Sequence, residues 1–182
     1  MRASALAEQG LSGVAVGRMV EKGKLQRIAR GIYAPAGFRP TEHHGIATAA
    51  AMVPNGVICL LSALQFHHLG TQAPFEVWLA IDRKAHKPTS VDPPLRIVRF
   101  TTSGLQDAVQ TYVIEGVTVK ITSRARTVAD CFKYRNKVGL DVALEALREY
   151  RRARLSIDDL LDAADGVRVG NVMRPYVEAI VS

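Results

Sequence analysis

The chain has 182 residues, 48% hydrophobic and 23% charged, enough for one medium domain or a small domain joined to a larger one, with a real buried core. A formal charge of +7 and an isoelectric point near 9.7 favour a polyanionic partner. No stretch reaches the roughly 18 apolar residues of a membrane span, and the opening MRASALAEQG lacks the apolar run of a signal peptide, so a cytoplasmic protein without a membrane role is expected.

The charge is unevenly spread. Arg2, Arg18, Lys22, Lys24, Arg27, Arg30 and Arg39 face only Glu8 and Glu21 within residues 1–40, and the rest of the chain is nearly balanced. Residues 4–9 (SALAEQ) are strong helix formers ending at Gly10, with Ser4 as the expected N-cap. Ser12 is placed to cap a second helix from Gly13 to about Lys22, stopped by Gly23, on which Val16, Met19 and Val20 form one apolar stripe. Two short helices joined by a GLSG turn make a helix-turn-helix pattern.

The stretch KGKLQRIARGIYAP (22–35) follows directly. Leu25, Arg27 and Ala29 alternate with Gln26, Ile28 and Arg30 as in a strand, and Gly31 permits a bend before Ile32-Tyr33-Ala34. A two-stranded ribbon behind a recognition helix is the wing of a winged helix, with the helix entering the major groove and the wing's cations lying over phosphates. Ser12, Ala15 and Arg18 are the expected base contacts, Lys22, Lys24, Arg27 and Arg30 the expected phosphate contacts, and Tyr33 the aromatic at the ribbon's end. The competing reading is a solvated charged face.

Pro35, Gly37 and Pro40 punctuate a connection, placing a winged helix-turn-helix at 1–38 and a larger domain at 39–182. Residues 41–53 read as helix, 57–69 as helix or mixed, 75–82 and 95–101 as strands, and 103–110 as a short helix. Residues 112–122 read as a hairpin turning at Glu115-Gly116. Helices follow over 124–135, 140–152, 157–165 behind Ser156, and 171–181, giving an α+β domain with a small sheet and a helical C-terminus.

Few residues suggest catalysis. Asp82-Arg83-Lys84 at a strand end matches half of a metal-dependent nuclease site, but residues 57–75 contain no acid to complete it. The adjacent pairs His43-His44 and His67-His68 point about 100° apart on a helix and make no clamp for a metal; the helix dipole accounts for the second pair. Cys59 and Cys131 sit among apolar neighbours and read as reduced core thiols. No enzyme activity, cofactor or metal is expected, with a nuclease on Asp82 and Lys84, or an interaction module without DNA binding, as the alternatives. Arg124, Arg126, Lys133 and Arg135 form a basic cluster with only Asp130 nearby.

The segments LSGVAVGRMVEKGKLQRIARGIYAP, ICLLSALQFHHLG, FEVWLAID and ITSRARTVADCFKY, in that order, resemble the AbiEi antitoxins of bacterial type IV toxin–antitoxin systems. The most telling parts are G-K-L-x-R-x-x-R-G-I-Y and Thr122, Ser123, Arg126, Thr127, Val128 and Asp130. Such domains carry a helix ahead of the helix-turn-helix, which is expected to be truncated here. The resemblance implies a regulator that binds inverted repeats in its own promoter and represses its operon. It also implies a C-terminal domain that counteracts a nucleotidyltransferase-like toxin without a stable complex. Residues 122–137, with Arg124, Arg126, Lys133 and Arg135, are the expected antitoxin surface; the alternative is that Thr127, Val128 and Phe132 are core and Asp130 pairs with Arg126.

Overall fold

The computed structural model describes residues 1–29, 31–88 and 92–181. It opens with α1 (Ala3–Glu8) and α2 (Gly13–Glu21), then β1 (Leu25–Ala29) and β2 (Ile32–Pro35), which pair antiparallel. Both helices end in the same way. Gly10 (φ 83°) follows α1, with its N–H on Ala7 O and that of Leu11 on Leu6 O; Gly23 (φ 64°) follows α2, with its N–H on Val20 O and that of Lys24 on Met19 O. These are Schellman closures, and they need a residue that adopts positive φ without strain.

Ser12 caps α2 as expected, its Oγ accepting the Ala15 N–H at 3.2 Å. Ser4 does not cap α1. The N-cap is Arg2, because the chain arrives from a pairing with β2: Arg2 bridges Ile32, and the Ala3 N–H reaches Gly31 O at 2.8 Å. The helix therefore starts where that pairing stops. Leu6, Val16 and Leu25 are buried and make a small cluster with Leu11, Met19, Val20 and Tyr33 around it. The alternation expected along β1 is broken, since the register with β2 shifts between Arg27 and Ala29.

The rest of the chain forms α3 (His44–Met52), β3 (Val57–Ile58), α4 (Leu60–His67), β4 (Val77–Asp82), β5 (Leu95–Phe100), β6 (Val109–Ile114) and β7 (Val117–Thr122), then α5 (Arg124–Lys133), α6 (Arg135–Val138), α7 (Leu140–Arg152), α8 (Ile157–Gly166) and α9 (Gly170–Val181). Among the described residues these strands make one mixed sheet in the order β5-β4-β3-β7-β6, parallel at β4–β5 and β3–β7 and antiparallel elsewhere. The fold is α+β. The unbroken apolar run of β4 follows from burial on both faces. One face packs Leu79, Ile81, Val119 and Ile121 against Ile46 and Ala49 of α3. The other packs Trp78, Ala80, Val98 and Phe100 against α5 and the helices after it.

Local chemistry explains the turns. Glu115 (φ 54°) and Gly116 (φ 73°) link β6 to β7, as a two-residue hairpin requires. Ser156 caps α8 through the Asp159 N–H at 3.1 Å. The helix expected at 103–110 is confined to a single 3-10 turn at Ser103–Leu105, because Val109 is already paired with Thr122 of β7.

Cys59 and Cys131 are free and buried, as the sequence implies. His67 corrects the expectation drawn from the helix dipole. It is 5% exposed, and burial lowers its pKa, so the ring is neutral and its Nε2–H donates to Thr122 O at 2.7 Å. The ring ties α4 to β7 and carries no cation for the dipole to stabilise.

Candidate nucleic-acid interface

The cluster Leu6–Val16–Leu25 decides which side of α2 faces outward. Val16 points in, Ala15, Met19 and Val20 are half-buried, and Gly13, Val14, Gly17, Arg18 and Glu21 are exposed. Val14 is 68% exposed, unusual for a branched apolar side chain on a short helix. Gly17 has open space where a Cβ would stand. The outward face is thus Val14, Gly17, Arg18 and Glu21, one stripe at i, i+3, i+4, i+7.

Of the residues expected to contact DNA, Arg18, Lys22 and Lys24 are exposed and form no ion pair or side-chain hydrogen bond among the described residues. Arg27 is exposed on β1, its Nε–H resting on Ala29 O at 3.4 Å. Ser12 is exposed but spends its acceptor on the helix cap. Ala15 turns sideways into half-burial and Tyr33 packs on the small cluster, so both are withdrawn from the open face. Arg30 lies outside the described residues. The sequence reading missed Val14 and Gly17, although positions opposite the Val16–Val20 stripe could have been picked out from the helical period alone.

The basic cluster near α5 comes apart. Arg124 and Lys133 are exposed; Arg135 is half-buried and donates to Phe132 O at 2.9 Å. Arg126 is not a surface residue. Its side chain is 5% exposed, its Nε–H lies 3.0 Å from Asp130 Oδ2, its Nη1 reaches Asp107 O at 3.1 Å, and the Phe100 ring lies under the guanidinium. The i, i+4 spacing on a buried helix face draws it inward, as the alternative reading had it. Burial raises the Asp130 carboxyl to about 6, against the pull of Arg126. Its Oδ1 has no partner among the described residues.

Asp82 serves a turn. Its Oδ1 accepts the Lys84 N–H at 2.8 Å and its Oδ2 the Thr102 hydroxyl at 2.7 Å, and these two donors hold the carboxyl below its usual range. No group of three or more His, Cys, Asp or Glu side chains that could hold a metal occurs among the described residues. No helix of the described residues is long and apolar enough to cross a membrane.

Two short helices joined by a tight turn, the second with an exposed face flanked by unpaired cations, have the arrangement of a helix-turn-helix. Residues 2–36 match a family model described as a transcriptional regulator, AbiEi antitoxin. The match covers this helical pair and its ribbon, in agreement with the resemblance read from the sequence. No curated protein matches the chain.

Proposed function

We propose that this chain is a sequence-specific DNA-binding repressor of its own operon and an antitoxin. Residues 1–38 would be a winged helix that binds duplex DNA, and residues 39–182 would counteract a nucleotidyltransferase-like toxin. The observation that carries the first part is the outward face of α2 with Arg18, Lys22 and Lys24 unpaired beside it. Arg18 presents a guanidinium suited to the O6/N7 edge of guanine, Val14 offers a methyl surface to thymine, and Gly17 lets the groove wall approach. Lys22, Lys24 and Arg27 lie where phosphates would pass, and together they set register rather than sequence.

The antitoxin part is supported by the same family match. After Arg126 is withdrawn, Arg124 and Lys133, with Arg135 partly, remain as its candidate surface. The test has two arms. Purified protein should shift a duplex carrying its own upstream region at low salt, and co-expression should relieve the toxicity of a nucleotidyltransferase-like neighbour. No shift at low salt refutes the repressor, and undiminished toxicity refutes the antitoxin.

A further inference from the structure

A cavity of about 230 Å³ lies between the N-terminal ribbon and the sheet domain. One wall is Ile28, Ala34 and Phe38; the other is Ala47 and Thr48 of α3, and the β6–β7 turn closes one end with Glu115. Most of the lining is apolar, and it also takes in Tyr33, Thr48, His44 and Met1, whose N-terminal ammonium is held by Tyr33 O. Glu115 is the one carboxylate on the lining, with a side chain only 6% exposed. Its Oε1 accepts the Thr41 N–H at 2.7 Å and the Thr41 hydroxyl at 2.9 Å, and its Oε2 lies 2.7 Å from His44 Nδ1. Burial alone would raise this carboxyl, but those donors outweigh it and hold it below its usual range, so it is charged at neutral pH.

We infer that this cavity is a ligand site for a small aromatic amine. The volume exceeds the roughly 150 Å³ that accommodates benzene in an apolar cavity, leaving room for a short aminoalkyl arm. The ring would lie among Ile28, Ala34 and Ala47, beside the Phe38 and His44 rings, which are 5.8 Å apart. The ammonium would meet Glu115, a carboxylate with acceptor capacity beyond its three present donors. Sites of this kind, mostly apolar with a few placed polar groups, favour domain boundaries. Because the two walls belong to the ribbon and to α3 with the β6–β7 turn, the ligand would fix the ribbon's pose against the sheet. This consequence rests on the DNA-binding reading, under which the amine and the operator become thermodynamically coupled.

The experiment is a ¹H–¹⁵N titration of the full chain with benzylamine, benzyl alcohol and benzoate. Saturable shifts are expected at Ala34, Thr48 and Gly116 with benzylamine, weaker ones with the alcohol, and none with benzoate. Glu115→Gln should abolish the preference for the amine over the alcohol. Absence of saturation, shifts centred elsewhere, or benzoate binding as well as the amine would overturn the site, and these comparisons need no variant. Operator affinity at saturating benzylamine should change by about fivefold or more. An unchanged affinity removes the coupling, whereas a chain that never binds its upstream DNA refutes the repressor and leaves the titration result standing.

Discussion

Removing the charge of Asp130 should change how stability depends on pH. The carboxyl is 1% exposed in its side chain, takes one guanidinium bond from Arg126, and leaves Oδ1 without a partner among the described residues. Its folded value of about 6 stands above the ordinary 3.8. A proton is therefore held in the folded state over a range where the unfolded chain has lost it. Stability from this group is full below about pH 4 and is lost as pH rises through about 6. Each pH unit between the two values corresponds to about 1.4 kcal/mol, so the group accounts for at most about 3 kcal/mol.

Asp130→Asn keeps the shape and removes this dependence. The cost of the substitution is moderated, because Arg126 retains Asp107 through its carbonyl at 3.1 Å and its carboxylate at 3.5 Å. We expect about 1–2 kcal/mol near neutral pH, below the ~3–5 kcal/mol of a buried pair stripped of one partner. Arg126→Met leaves Asp130 alone and should cost the larger sum. Urea unfolding followed by far-UV circular dichroism, for the native chain and Asp130→Asn between about pH 4 and pH 7, isolates the group, since other titrations cancel in the difference. The native chain's advantage should shrink as pH rises through that range and level off above it. An advantage that is constant, or that grows with pH, would refute the reasoning.

Gly17→Ala should raise the stability of the free protein by about 0.5–1 kcal/mol through helix propensity, yet weaken operator binding in a gel-shift assay if α2 approaches the groove there. Gly23→Ala forces a positive φ on a residue with a Cβ, and thermal unfolding should show a loss of about 1–2 kcal/mol, all of it from the backbone because nothing lies within 4 Å of the new atom. Lys24→Ala should weaken binding to every duplex and reduce the slope of log K against log salt by about one, whereas Arg18→Ala should relax preference at one base pair in a selection experiment. Arg124→Ala and Lys133→Ala should leave stability within about 0.5 kcal/mol, so any loss of toxin relief in a growth assay reports on the surface itself.

The sequence showed some of this readily. Gly10, Gly23 and Ser12 marked the helix ends because capping is a local matter of one residue's backbone or hydroxyl. Glu115-Gly116 marked the hairpin for the same reason. What escaped was decided by distant partners. Ser4 lost its capping role to a pairing of Arg2 with Ile32. Val109 joined a strand because Thr122 was available. His67 and Arg126 look like solvent-facing charges in one dimension and become buried links once Thr122 and Asp130 close on them. On α2, Val14 and Gly17 were overlooked because neither carries a group that suggests chemistry, and only the packing of the small cluster turns them outward.

The shortness of β3 bears on the order of assembly. Val57 and Ile58 are the whole of that strand, and they join the parallel β4–β5 pair to the β6–β7 hairpin. The hairpin closes through a two-residue turn and forms early, on the microsecond scale of isolated hairpins. The parallel pair must first close a longer loop and is slower. The seam between them rewards the chain only once both sides exist, so its interactions should be absent from the rate-limiting ensemble. Shortening the Ile58 side chain should then speed unfolding while leaving the refolding rate nearly unchanged.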